Sequence, residues 1–239
     1  MSIDTHSAPA IWGLVPAAGS GARMRAGVPK QYLPLLGRPV IQHTLERLCA
    51  HVRVRGVLVG LAPDDSHWQA AAISLPKLLG TYAGGATRAQ TVLNGLQALA
   101  AQAAADDWVM VHDAVRPCLR LADLDALISA AMASAGGALL ALPVSDTVKR
   151  VDGLNLVLET VTRTNLWRAL TPQMFRIDRL EAALRAALAR GVEITDEASA
   201  IEAAGGHPLA VAGHPDNIKI TMPQDLPLAE LFLHQQERA

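Results

Sequence analysis

Aromatic side chains are scarce in this 239-residue sequence: Phe, Trp and Tyr together make up 3%, against a hydrophobic content of 51%. Such a core has to be built mainly from Ala, Leu and Val, which suits close packing of helices on a sheet. A charge surplus is missing too. At a formal net charge of −1 the chain lacks the basic excess that broad nucleic-acid or membrane-surface binding requires. Cysteine is limited to Cys49 and Cys118, which are far apart and fit no metal-ligand spacing. They read as buried, reduced thiols. No apolar run reaches membrane-spanning length, and Met1 to Ala10 has no charged-then-apolar leader pattern. We therefore expect a soluble, cytoplasmic protein with no nucleic-acid and no membrane partner. No Ser-His-Asp or Cys-His order appears, and His43, His51, His67, His207 and His214 show no ligand spacing. These histidines are expected to be structural or surface residues.

What the chain does have lies near its start. The apolar run Ile11 to Val15 reads as a buried strand. It empties into Pro16-Ala17-Ala18-Gly19-Ser20-Gly21-Ala22-Arg23-Met24, with Pro29-Lys30-Gln31-Tyr32 close behind. Gly19 and Gly21 permit φ > 0 and let backbone N–H groups converge on an anion. Arg23 and Lys30 add two permanent cations, and Pro29 stiffens the approach to Lys30. Backbone donors plus cations are what a polyphosphate demands. The P-loop pattern is absent, because Lys30 follows a proline. The dinucleotide fingerprint is absent as well, because Met24 stands where its third glycine should be.

Alternation of strand and helix signals continues along the chain. Val40, Ile41, Thr44, Leu45 and Leu48 recur at helical spacing, and Gly56 to Ala62 is a continuous apolar run of the parallel-strand kind. A short helix containing Trp68 follows, then a strand from Leu78 to Ala83. That strand opens into a second glycine-rich loop, Gly84-Gly85-Ala86-Thr87-Arg88, at the start of a helix carrying Val92, Leu93, Leu96 and Leu99. Two such loops, each after a strand and each with a cation, point to a nucleotide cleft. Asp107 to Val111 is the next buried strand and ends in His112-Asp113-Ala114-Val115-Arg116-Pro117. An acid just past a central strand holds a metal or a ribose, or caps the following turn; both readings of Asp113 stand at this point. A helix from Asp123 to Met132 and a strand from Ala138 to Val144 complete the alternating part.

Thereafter the rhythm changes. Asp146 to Val151 and Leu156 to Thr162, joined by Asp152-Gly153, read as a β-hairpin leaving the sheet as an arm. Leu170 to Phe175 returns to the body. Helices are expected at Arg179–Arg190 and Asp196–Ala204, strands at Pro208–Ala212 and Asp216–Thr221, and a terminal helix at Gln224–Gln236, with no further domain after it. The expected organisation is a single domain over 1–239: a mostly parallel, twisted α/β sheet flanked by helices, with the arm inserted at about 146–168.

The blocks P-A-A-G-S-G-A-R-M, P-K-Q-Y, G-G-A-T-R, V-H-D-A-V-R-P, D-T-V-K-R, L-T-P-Q, I-T-D-E-A-S-A and D-N-I-K-I-T occur in this order. Together they resemble the 2-C-methyl-D-erythritol 4-phosphate cytidylyltransferases, over nearly the whole chain. The resemblance implies a Rossmann-like fold, a requirement for Mg²⁺, a homodimer formed through the arm, and a step of non-mevalonate isoprenoid synthesis. The implied reaction joins a cytidylyl group from CTP to methylerythritol phosphate and releases pyrophosphate. Carried over by motif, Arg23, Lys30, Arg163 and Lys219 are the catalytic cations. Pro16, Ala17, Ala18, Gly19, Gly21, Lys30, Gly84, Gly85, Arg88, Thr91, Asp113 and Ala114 are implied for CTP. Asp113, Arg116, Thr147, Arg163, Thr171 and Lys219 are implied for the acceptor phosphate, with the arm residues reaching the neighbouring subunit's site. Asp113 is the first candidate for a metal contact. Thr91 stands where the family often has Ser, and Thr162 where an acid is common. A ribitol-5-phosphate cytidylyltransferase and a non-catalytic nucleotide-binding regulator are the alternative readings. The first shares the nucleotide half, and the second would be expected to have lost the cations that this sequence keeps.

Overall fold

The structure is a computed structural model that describes residues 9–19 and 27–238. Gly21 and Arg23 lie outside the described residues. Strand β1 (Ile11–Pro16) precedes a single 3-10 turn at Lys30–Tyr32, a small ribbon of β2 (Pro34–Leu35) and β3 (Arg38–Pro39), and helix α1 (Val40–Ala50). Next come β4 (Val54–Leu61), α2 (His67–Ala71), β5 (Leu78–Ala83), α3 (Arg88–Leu99), β6 (Trp108–Val111), α4 (Leu121–Ala133) and β7 (Ala138–Pro143). The hairpin β8 (Val148–Val151) and β9 (Val157–Val161) leads into β10 (Trp167–Arg176). Then follow α5 (Ile177–Ala189), α6 (Glu197–Ala203), β11 (Leu209–Ala212) and α7 (Asp225–Glu237).

Seven strands form one sheet in the order β11-β7-β10-β6-β1-β4-β5. β1 pairs in parallel with β4 and β6, β4 with β5, and β7 with β11, while β10 runs antiparallel to both β6 and β7. The two-residue period of a strand sorts the central side chains into two layers. Ile11, Val15, Val57, Val59 and Met110 pack on the α1 and α4 side with Leu45, Leu48, Leu124 and Ile128. Trp12, Leu14, Leu58, Val109 and Val111 pack on the other side with Leu96, Leu99, Leu180 and Leu184. With helices on both faces, the central strands have no wet side, which is why they read as unbroken apolar runs. Cys49 and Cys118 are both buried and unpaired.

Two expectations need correction. The segment Asp216–Thr221 is not a strand. Its backbone partners sit on irregular chain rather than on a ladder: Ile220 N–H donates to Val115 O, and Asn217 O accepts from Arg116 Nη1. Asn217 Nδ2 donates to Thr171 O, and the Asp225 carboxylate takes the Thr221 and Met222 N–H groups. Gly19, which would permit φ > 0, does not adopt it, and a Cβ there would meet nothing within 4 Å among the described residues. In the second loop the reason for glycine is close approach, since a Cβ on Gly84 would lie 2.4 Å from that of Ala18. The antiparallel β10 begins at Trp167, inside the arm expected at about 146–168, and the paired arm strands are Val148–Val151 and Val157–Val161.

Candidate active site

The carboxyl ends of β1, β4 and β6 open into a cleft between the two glycine loops. Ala17 N–H donates to Gly60 O and Gly84 N–H to Leu61 O, so both loops are hung from the end of β4. A cavity of about 200 Å³ runs between them, lined by Pro16, Ala17, Ala18, Gly19, Lys30, Gly85, Arg88, Thr91, Asp113, Ala114 and Lys219 among others. Most of the residues proposed for the nucleotide therefore converge from four separated blocks, and Lys219 joins them from a fifth. Gln31 is a lining residue that sequence reading passed over. It is buried and donates from Nε2 to Ala17 O at 2.9 Å, which fastens the turn bearing Lys30 to the first loop. Lys30 Nζ lies 3.3 Å from Ile220 O.

Helix α3 begins at the second loop, with Thr87 as its cap: Oγ1 accepts the Gln90 N–H. The Thr91 hydroxyl donates to Thr87 O and accepts from Gly85 N–H. Its work is thus to shape the loop, and the methyl group that distinguishes it from Ser lies against the line of Gly60.

Behind the cleft is a compact set of buried charges. Asp113 is 7% exposed. Its Oδ1 accepts from Arg88 Nη2 at 3.2 Å, and its Oδ2 lies 2.9 Å from Lys219 Nζ and 3.4 Å from Arg116 Nε. Burial alone would push the Asp113 carboxyl up, but the Arg88, Lys219 and Arg116 charges outweigh it and hold it well below the usual carboxylate range. Arg88 also grips Glu197 with both arms, Nη1 to Oε1 at 2.5 Å and Nη2 to Oε2 at 3.1 Å. Arg116 spends its other arm on Asn217 O. Arg88 and Arg116 are therefore held by protein groups; Lys30 lines the cleft, and Lys219, 41% exposed and paired with Asp113, stands at its edge.

A second cavity of about 270 Å³ adjoins the first and shares Arg88, Asp113 and Lys219 with it. Its remaining walls include Arg116, Leu170, Thr171, Gln173, Thr195 and Asp196. Thr195 and Asp196 were not anticipated as site residues, although the I-T-D-E-A-S-A block that contains them was noticed. Thr171 is buried, its hydroxyl accepting the Asp113 N–H at 3.0 Å and lying 2.8 Å from His112 Nδ1. The opposite ring nitrogen, His112 Nε2, faces Arg116 O at 3.1 Å. A carbonyl can only accept, so Nε2 carries the proton and Nδ1 accepts from Thr171. Burial lowers the His112 pKa to about 4, so the ring is neutral at pH 7.

Thr147 and Arg163 line neither cavity. Both are exposed on the arm, where Arg163 Nη1 donates to Ser145 O. Among the described residues no group of three or more His, Cys, Asp or Glu could hold a metal ion. Asp113 is the only carboxylate among the described residues lining the first cavity, and both its oxygens are in ion pairs. A resident magnesium cage does not fit this donor set. An ion brought by phosphate oxygens, with Asp113 as a single protein ligand, does.

A Rossmann-like sheet with two glycine loops over a cation-lined cleft defines the class: an α/β nucleotidyltransferase. The family model described as "IspD: 2-C-methyl-D-erythritol 4-phosphate cytidylyltransferase" matches residues 11–235. Proteins of that name from Shewanella loihica and Pseudomonas aeruginosa are 52% and 51% identical to this chain. The alignments cover 92% of it and 90% of the first, and 94% of it and 96% of the second. Among solved structures, a 4-diphosphocytidyl-2C-methyl-D-erythritol synthase superposes with a TM-score of 0.83 at 37% identity, covering 94% of this chain and 99% of that one. The Francisella tularensis 2-C-methyl-D-erythritol 4-phosphate cytidylyltransferase gives 0.82 at 32% identity, covering 93% and 99%. The chain belongs to the 2-C-methyl-D-erythritol 4-phosphate cytidylyltransferase family.

Proposed function

We propose that this chain transfers a cytidylyl group from CTP to 2-C-methyl-D-erythritol 4-phosphate in non-mevalonate isoprenoid biosynthesis. The products are 4-diphosphocytidyl-2-C-methyl-D-erythritol and pyrophosphate. Beyond family membership, the observation that carries this reading is the pair of adjoining cavities with Lys219 and Asp113 on their shared wall. In it, the first cavity takes the nucleotide and the second the acceptor. An acceptor phosphate oxygen attacks the α-phosphorus of CTP, the α–β anhydride bond breaks, and pyrophosphate leaves. The nucleophile is already an anion near neutral pH, so no general base is required. Catalysis then consists of positioning two polyanions and stabilising charge on the α-phosphoryl oxygens. Lys30 serves the triphosphate and Lys219 the boundary between the two substrates. Arg88 and Arg116 act as scaffold for Asp113 rather than as free phosphate ligands. Arg23 is assigned to the triphosphate on its motif alone. Mg²⁺, carried in on the triphosphate with Asp113 as the protein contact, would supply further charge neutralisation.

The chain is further proposed to act as a homodimer joined through the arm, with Thr147 and Arg163 serving the partner's acceptor cavity. The arm's apolar side chains support this: Leu154, Leu156, Val157 and Leu158 are each more than 60% exposed, an unusual concentration for one hairpin. The test of the activity is pyrophosphate release from CTP with each candidate acceptor supplied in turn. Release with methylerythritol phosphate and not with ribitol 5-phosphate is expected. Release only with the pentitol phosphate, or with neither, would overturn the reading.

A further inference from the structure

Glu197 has no part in the mechanism above, yet it is the most deeply buried acid of the region, at 1% exposure. A buried carboxylate is costly to fold, and an apolar residue of similar volume would serve packing as well or better. Its place is fixed from two sides. Asp196 caps helix α6, its Oδ1 accepting the Ser199 N–H while Ser199 Oγ accepts the Asp196 N–H. Gln173, on the central strand β10, donates from Nε2 to Asp196 Oδ2 and accepts the Ala198 N–H at Oε1, both at 2.8 Å. The first turn of α6 is thereby tied to the sheet, and Glu197 points from that anchor at Arg88. Both of its oxygens are used there, and Arg88 passes the constraint to Asp113 Oδ1, whose other oxygen meets Lys219. Burial pushes the Glu197 carboxyl up, and the Arg88 guanidinium offsets part of that.

Resting on the function proposed above, we propose that Glu197 is a positioning residue: through Arg88 it fixes Asp113, and so sets where Lys219 stands on the wall between the two substrate cavities. Without the second oxygen, Arg88 Nη2 loses one of its two anchors, Glu197 Oε2, and its hold on Asp113 Oδ1 loosens, so that Lys219 on the other Asp113 oxygen loses its fixed place. Glu197→Gln does this without changing side-chain size, because its amide nitrogen faces an N–H group that it cannot accept from.

The experiment is a steady-state cycle on the full-length protein with wild type, Glu197→Gln, Arg88→Met and the double variant, each checked for its melting temperature. The expected result is an acceptor KM raised about tenfold in Glu197→Gln, with a smaller fall in kcat, and a double variant no worse than Arg88→Met alone. A merely structural glutamate would lower the melting temperature and the active fraction, and would leave KM alone. Wild-type KM in Glu197→Gln, or losses that multiply in the double variant, would overturn the role. Should Glu197→Gln not fold, Glu197→Asp keeps the charge but withdraws it by one methylene, and the same cycle with Arg88→Met decides. Absence of turnover in the wild type overturns the function itself; normal wild-type turnover with additive losses overturns only this role.

Discussion

Arg88 and Glu197 meet at 2.5 Å behind the cleft, and Arg150 and Glu159 meet at 2.6 Å on the arm. By distance the two ion pairs are interchangeable. By environment they are opposites. The cleft pair is 28% and 1% exposed, whereas the arm pair is 63% and 55% exposed. Water screens the arm pair, so it contributes little to stability. The cleft pair has lost its water, so each charge depends on its partner, and removing one leaves a buried ion unmatched. The same chain therefore spends its charges in two ways: as a rigid lattice under the substrates, and as a solvated fringe on a hairpin whose exposed face is apolar.

The largest test of this contrast compares two lysines. Lys30→Ala removes a charge that lines the cleft, and Lys149→Ala removes an exposed one that donates to Thr160 on the arm. Lys30→Ala is expected to lower kcat about 10²–10³-fold, the usual loss when a preorganised charge is taken from a transition state. CTP binding should weaken far less, and Lys149→Ala should leave kcat unchanged. Equal losses in the two variants would mean that burial and position do not set the value of these charges.

Much of this arrangement was legible in the sequence, because both glycine loops carry their cations within a few residues. The alternating strands were legible for a similar reason: their periodicity is local. What could not be read were partnerships between distant residues. Arg88 and Glu197 lie 109 positions apart, and Gln31 reaches a carbonyl 14 positions back. No spacing rule pairs such groups; only the fold does. The segment Asp216–Thr221 failed for the opposite reason. Its Ile-Lys-Ile-Thr alternation has a strand's period, but its hydrogen bonds go to the loop after β6. Thr171 and Thr91 were recognisable by motif as polar site residues, but the prior engagement of each hydroxyl was not.

On the arm, the contrast predicts that association rests on apolar contact and not on charge. Leu156→Asp with Leu158→Asp places two carboxylates on a face now 62% exposed at each position. Sedimentation equilibrium should show the dimer proposed above weakened by well over a hundredfold, as expected for losing four leucines, two from each subunit, at about 1.5 kcal/mol or more each. The unfolding of the separated subunit should change little, since both side chains are mostly exposed within it. A dimer that survives intact would place its interface elsewhere.

Acid should act on the body and spare the arm. His112 is buried neutral, with its pKa lowered from 6.5 to about 4. The unfolded chain takes up a proton between those values and the folded chain does not. Its contribution is thus complete above pH 6.5 and lost as the pH falls toward 4. From pH 7 to pH 5 this amounts to about 2 kcal/mol. Asp113 adds a loss only at lower pH, because its folded pKa lies below its unfolded value. Urea unfolding at the two pH values should show the drop. His112→Gln, which keeps a donor for Arg116 O and an acceptor for Thr171, should flatten it. An unchanged slope in that variant would assign the acid sensitivity to other groups.

The smallest effect expected is at the arm pair itself. Glu159→Ala removes the partner of Arg150, but both side chains already face water, and the freed guanidinium is rehydrated at little cost. The hairpin is held instead by the ladder between β8 and β9, and by Asp152, whose Oδ1 accepts the Leu154 and Leu156 N–H groups at its turn. Stability should therefore change by less than about 1 kcal/mol, and the change should shrink further in 1 M salt, where the Debye length falls to about 3 Å. Chemical denaturation at low and high salt measures both. A loss of several kcal/mol that salt does not touch would show that this pair is desolvated in the assembled protein, and would place Arg150 and Glu159 inside the interface of the proposed dimer.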